Sequence, residues 1–140
     1  MRIQRKVFVR SIAFALLAFA LSTAFVVRPA NASPQCEASI AELRAATETV
    51  VITGKNAAKD RAGLLGKLDN ASASISRNKL CDAIRKLTDF RNKVNELIAA
   101  GKINSDPTLG TTGQDLVDGA NEAIACIEAQ VAQSGTTCPV

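Results

Sequence analysis

The four cysteines of this sequence, Cys36, Cys81, Cys126 and Cys138, are the residues with the clearest potential chemistry. They could bind zinc or form disulfides. The sequence has no histidine and no Cys-x-x-Cys pair, so a zinc site would lack its usual ligands. An even number of cysteines instead favours disulfides wherever the compartment is oxidising. We therefore expect two disulfides and no metal ligands.

Closely spaced carboxylates are the second candidate for chemistry. Asp115, Asp118 and Glu122 are three and four residues apart, which is one helical turn. Acid–base catalysis needs such groups to be positioned and perturbed, whereas acidic groups on an exposed helix are normally solvated. The sequence has no histidine, no Gly-x-Ser-x-Gly motif and no phosphate-binding glycine loop. We expect no enzymatic activity, no catalytic residue and no cofactor.

The compartment is indicated by residues 1–32. A basic start is followed by an uncharged run, residues 11–27, and then by Ala30-Asn31-Ala32. This order is typical of a Sec-type signal peptide. We expect a signal-peptide helix that is cleaved after Ala32, and export to the cell envelope, the periplasm or the medium. The alternative is an uncleaved N-terminal anchor that tethers the protein to the membrane, because the run is long for a signal peptide.

Removal of the signal peptide changes the charge of the protein. Five of the 17 basic residues lie in residues 1–32, so twelve remain against all 13 acidic ones, a net charge of −1. The isoelectric point of about 9.1 is therefore a property of the targeting segment. It gives no support for nucleic-acid binding, and we expect none.

Apolar periodicity predicts four helices in one domain, residues 33–140, at about 34–53, 57–77, 79–100 and 112–134. The first starts at Ser33-Pro34, includes Val51 in its apolar stripe and ends at Gly54. The third has the strongest pattern, with Asn78 as its cap and apolar residues at spacings of four and three: Ala83, Leu87, Phe90, Val94 and Leu97.

Short connections between these helices predict an all-α, antiparallel up-down four-helix bundle. In that topology all four cysteines lie near one pole. Helices one and three are diagonal in a square bundle, too far apart for a disulfide. We therefore prefer Cys36–Cys126 with Cys81–Cys138. The alternative, Cys36–Cys81 with Cys126–Cys138, stays open because bundle ends splay.

Several apolar patterns resemble the FIMAH domain, a helical module of secreted bacterial proteins. They are Leu64-x-x-Lys67-Leu68-x-x-Ala71, Ala83-x-x-x-Leu87-x-x-Phe90-x-x-x-Val94, Gly101-Lys102 and Leu116-Val117-x-x-Ala120. The similarity spans about residues 40 to 130. It implies a non-enzymatic interaction module, and it favours Cys81–Cys138. The chain departs from the family at Arg91, where an apolar residue is usual, and in its longer loop after Lys102.

Charge is unevenly distributed along the domain. Residues 55–102 contain eleven basic and five acidic residues, whereas residues 103–140 contain five acidic residues and no basic one. The simpler interpretation is mutual compensation between neighbouring helices. The alternative is a basic face that binds a protein or an anionic envelope component, formed by Lys59, Lys67, Arg85, Arg91 and Lys93.

Overall fold

The computed structural model describes residues 34–139, which form four α-helices and no β-strand. The helices are α1 (Pro34–Thr49), α2 (Ala57–Ser76), α3 (Leu80–Ala99) and α4 (Gly113–Gln133), with a 3₁₀ turn at Pro107–Leu109 before α4. The all-α class and the two disulfides predicted from the sequence are confirmed. The predicted signal peptide lies outside the described residues.

The helices pack in a ring. Each helix contacts its neighbours in the chain, and α1 also contacts α4. The core is almost wholly aliphatic, and Phe90 in α3 is its largest fully buried side chain. The largest fully buried side chains of the helices next to α3 are Leu64 and Leu68 from α2 and Leu116 and Ile127 from α4. The two most extensive helix contacts are those of α3 with α2 and with α4.

The first helix is shorter than the sequence predicts. It ends at Thr49, not near residue 53, and Val51, assigned to its apolar stripe, is 50% exposed. Ile52 instead forms an isolated antiparallel bridge with Ile103, and Asn104 N–H donates to Val51 O at 2.9 Å. The prediction was wrong because the partners of this segment come from a distant loop, which local periodicity does not report.

Arg61 completes the end of α1. Its guanidinium donates to the carbonyl oxygens of Thr47, Glu48 and Val50, the last at 2.8 Å. The last carbonyls of a helix have no partner within it, and a cation there also interacts favourably with the helix dipole. A side chain of α2 thus satisfies the α1 terminus and joins the two helices.

Asn78 lies in the turn that ends α2 and does not cap the start of α3. Its φ is 56°, in the left-handed region, and its N–H donates to Ile75 O while Lys79 N–H donates to Ser74 O. This is the hydrogen-bonding pattern of a helix C-terminus. Lys79 occupies the N-cap position of α3 without a side-chain capping bond, so the predicted Asn78 cap was wrong.

The disulfides join Cys36 to Cys126 and Cys81 to Cys138, with Cα separations of 5.7 and 5.3 Å. These are the pairs preferred from the sequence. The first links α1 to α4 through the core, since Cys36 is fully buried. The second links the first turn of α3 to the C-terminal tail, residues 134–139.

Peptide mapping checks the pairing. Trypsin alone leaves Cys126 and Cys138 in one peptide, because no Lys or Arg follows Lys102. Additional cleavage after Glu128 separates them. We expect the Cys36 peptide to be linked to the Cys126 peptide and the Cys81 peptide to the Cys138 peptide. Recovery of a Cys36–Cys81 species would contradict the structure.

Loss of the core disulfide lowers stability. In the chain-entropy estimate, a cross-link with a sequence separation of 90 contributes about 4.6 kcal/mol to the free energy of unfolding. We expect the C36S/C126S variant to lose a large part of this in denaturant titrations. The matched control is Thr137→Ser, at an exposed position of the tail.

Candidate functional site

A concave surface of the described residues lies where the C-terminal tail passes from α4 to α3. Two adjoining cavities, of about 290 and 600 Å³, flank the tail and share Val131 and Thr136. We call them together the tail cleft. Its apolar floor comes from α3 and α4, and includes Leu80, Ile84 and Val131.

The rim of the tail cleft is polar. Asn78, Lys79 and Asp82 lie on one side and Ser134 and Thr136 on the other. Leu80 is 9% and Val131 7% exposed, so the floor is mostly shielded from solvent. An apolar floor with a few polar groups at its edge is the usual composition of a binding cleft.

The tail itself forms one wall of the cleft. Its first residues continue the end of α4, because Gly135 N–H donates to Ala132 O and Thr136 N–H to Val131 O, both at 3.3 Å. Gly135 has a φ of 69°, which is typical of a helix C-terminus. Within the described part of the chain, no hydrogen bond involves residues 137–139. The Cys81–Cys138 bond therefore holds this end of the tail.

Asp115, one of the candidate carboxylates, is engaged in capping α4. Its Oδ2 accepts from Thr112 N–H at 2.7 Å and from Thr112 Oγ1 at 2.8 Å, while Asp115 N–H donates back to Thr112 Oγ1 at 3.1 Å. The backbone and then the side-chain hydrogen bond from Thr112 lower the pKa of Asp115 below its ordinary value of 3.8. A carboxyl group that is more acidic than usual is a poor general acid near neutral pH.

The other two carboxylates lie in different surroundings. Asp118 accepts from Gln114 Nε2 at 2.9 Å, on an exposed surface of α4. Glu122 and Asp115 line a shallow groove of about 150 Å³ between α1 and α4, together with Glu42. In residues 34–139, no cluster of three or more His, Cys, Asp or Glu side chains is arranged to hold a metal ion.

Two of the five basic residues predicted to form one face have partners on different helices. Arg91 donates to Asn121 Oδ1 of α4 at 2.9 Å, whereas Lys93 pairs with Glu96 at 3.0 Å. The pKa of Lys93 is raised mainly by the hydrogen bond to Glu96, and Asp60 of α2 contributes. Arg91 thus points to α4, while Lys93 lies on the side of α3 nearer to α2.

The remaining basic residues also differ in their surroundings. Arg85 forms a salt bridge with Asp82 at 2.8 Å. Lys59 is exposed and Lys67 half-buried on α2, and no salt bridge of the described residues involves either. The described salt bridges do not join α3 to α4, so the expected charge compensation between these helices is not made by direct ion pairs. Arg44 and Asp69 provide the described cross-helix ion pair, between α1 and α2.

The Asp115 cap predicts a pH dependence of stability. Because its pKa is lower in the folded than in the unfolded protein, its stabilisation is present above about pH 3.8 and is lost as the pH falls through the lowered folded pKa. We expect the stability of the wild type to fall more steeply than that of Asp115→Asn below this value. Denaturant titrations between about pH 6 and pH 2 measure it. The matched control, Asp118→Asn, keeps the wild-type dependence, and parallel curves for all three proteins would refute the cap.

Comparisons with known proteins identify no relative. No protein-family model matches the chain, and no curated protein and no solved structure matches it. The similarity to the FIMAH domain therefore rests on the sequence patterns alone.

Proposed function

We propose that this protein is an exported, non-enzymatic interaction module of the cell envelope or the surrounding medium, similar to the FIMAH domain and folded as an antiparallel up-down bundle. The observation that carries the proposal is the pair of disulfides, which use all four cysteines of the sequence. Proteins that keep such bonds normally reside in oxidising compartments. The signal-like order of residues 1–32 provides a route to one.

The helix packing supports the up-down arrangement. Consecutive helices contact each other and α1 contacts α4, as expected when each helix reverses direction. The Cys36–Cys126 bond fits this arrangement, because it joins the start of α1 to the second half of α4. Within the described residues, no helix is long and apolar enough to cross a membrane.

The interaction surface we propose is the basic side of α2. Lys59 and Lys67 lie two turns apart on this helix and are not engaged in the described salt bridges. An anionic polymer of the envelope or an acidic protein would be attracted to them, and the attraction would weaken as salt is added. The absence of aromatic side chains from residues 34–139, apart from the buried Phe90, gives bases of nucleic acids nothing to stack on.

Export is tested by the intact mass of the protein produced in a native-like host. We expect a polypeptide that begins at Ser33 and has no free thiol until it is reduced and alkylated. Retention of residues 1–32 would replace the secreted form with the membrane-tethered alternative. Four free thiols would contradict export to an oxidising compartment.

The basic surface is tested by salt elution from a heparin column, which serves as a general polyanion. We expect K59Q/K67Q to elute at lower salt than the wild type, because both substitutions remove a cation from the proposed surface. The matched control, R77Q/K79Q, changes the net charge equally at the other end of α2. Equal elution of the two variants would show that net charge, and not this surface, controls binding.

A further inference from the structure

We propose that the Cys81–Cys138 disulfide is a redox-controlled clasp, which holds the end of the C-terminal tail over the tail cleft and opens the cleft when a dithiol reduces it. The covering element is Thr137–Pro139, which lines the larger cavity together with Ile84 and Val131. This goes beyond the proposed function, because it concerns regulation of the cleft and not the basic surface of α2.

The two disulfides differ in accessibility. Cys81 and Cys138 are both half-exposed, and each lines a cavity of the tail cleft. Cys36 is fully buried among core side chains, and its Sγ accepts from Gln130 Nε2 at 3.0 Å. Its partner Cys126 is half-exposed like Cys81 and Cys138, but it lines neither cavity of the tail cleft. An attacking thiolate must approach a sulfur along the line of the disulfide, so open space beside the sulfur controls the rate. Because both of its cysteines border the tail cleft, Cys81–Cys138 is the more accessible of the two bonds.

The environment of Cys81 makes it the better leaving group of the two cysteines. Cys81 is the second residue of α3, a helix of 20 residues with no side-chain capping bond at its start. The positive end of the helix dipole stabilises a thiolate there, and such a thiolate is a good leaving group. Cys36 also lies in a first helical turn, but it is fully buried and its partner Cys126, the sulfur that would be attacked, does not border the tail cleft.

A dithiol reductant, such as a protein with a Cys-x-x-Cys pair, supplies the two electrons that reduce the Cys81–Cys138 bond. One reductant thiolate attacks Cys138 Sγ, a mixed disulfide forms, and Cys81 leaves as a thiolate that takes up a proton. The second reductant thiol, as its thiolate, then displaces Cys138, which also leaves as a thiolate and is protonated. The reductant is oxidised to its disulfide and the clasp is reduced to two thiols.

Reduction would release only the end of the tail, because its first residues are held by hydrogen bonds to α4. The hydrogen bonds of Gly135 and Thr136 to α4 do not involve the disulfide, so the end of α4 stays intact after reduction. Residues 137–139 make no hydrogen bond within the described chain and lose their attachment. The wall of the cleft moves away and its apolar floor becomes accessible, while the core disulfide continues to join α1 to α4.

The order of reduction is measured on the purified oxidised protein. It is incubated with dithiothreitol under native conditions, trapped with iodoacetamide at intervals, and digested with trypsin and then at Glu128. We expect alkylation of Cys81 and Cys138 to be at least about tenfold faster than that of Cys36 and Cys126. Equal rates, or earlier alkylation of Cys36, would overturn the clasp. Failure of the export test above would leave this outcome unaffected.

Opening of the cleft is measured with anilinonaphthalene sulfonate, a dye that fluoresces on apolar surfaces. We expect its fluorescence to rise as Cys81 and Cys138 are alkylated, with unchanged far-ultraviolet circular dichroism. C81S/C138S should be fluorescent without reductant, whereas C36S/C126S should respond to dithiothreitol as the wild type does. Should a variant not fold, the wild-type time course decides alone. Reduction of Cys81–Cys138 without a rise in fluorescence would show that residues 137–139 do not cover the cleft.

Discussion

The covalent bond between α1 and α4 is the constraint on which the ring of helices depends. The helix α1 contributes few large apolar side chains to the core, chiefly Ile40 and Leu43. An α-helix needs a wide apolar stripe to be held by burial alone. The Cys36–Cys126 bond supplies what this helix lacks, since it fixes α1 to α4 through a fully buried sulfur and restricts the unfolded chain.

Further contacts with α2 and with α4 also hold α1 in place. Arg61 of α2 donates to the carbonyl oxygens at its end, and Arg44 pairs with Asp69 of α2. At the α4 interface, a Cβ on Gly119 would lie 3.2 Å from Leu43 Cδ1, so the missing side chain lets the two helices approach closely. The thin aliphatic core is thereby supported by the Cys36–Cys126 bond, by the Arg61 guanidinium and by the close contact at Gly119. Large aromatic side chains contribute little to it.

The sequence predicted the fold best where the structure is decided locally. The spacing of Leu87, Phe90 and Val94 determined the buried side of α3, and the predicted start of the fourth helix at residue 112 coincides with the Thr112–Asp115 capping box. The end of α1 was missed because Ile52 pairs with Ile103, more than forty residues away. Turn chemistry near residue 78 was assigned to the wrong helix, because an asparagine suits both a helix start and the left-handed end of one.

The candidate sites were predictable to different degrees for a related reason. The cysteine pairs followed from the relative positions of helix ends, which topology determines. A count of charges does not determine whether basic residues share a face, because side chains two residues apart on a helix point about 200° apart. Arg91 and Lys93 are such a pair, and they reach Asn121 of α4 and Glu96 of α3, respectively. The tail cleft was not foreseen at all, since no local pattern reports a wall formed by residues distant in sequence.

The two disulfides differ in their relation to the core, since Cys36 is fully buried whereas Cys81 and Cys138 both border the tail cleft. Breaking the Cys36–Cys126 bond would weaken the attachment of α1, a helix that buries few large apolar side chains. Breaking the Cys81–Cys138 bond would release only a few residues, since Leu80 and Val131 stay packed within α3 and α4. A protein that is stabilised by one cross-link can therefore use a second one as a switch, because reduction of the second leaves the first in place between α1 and α4.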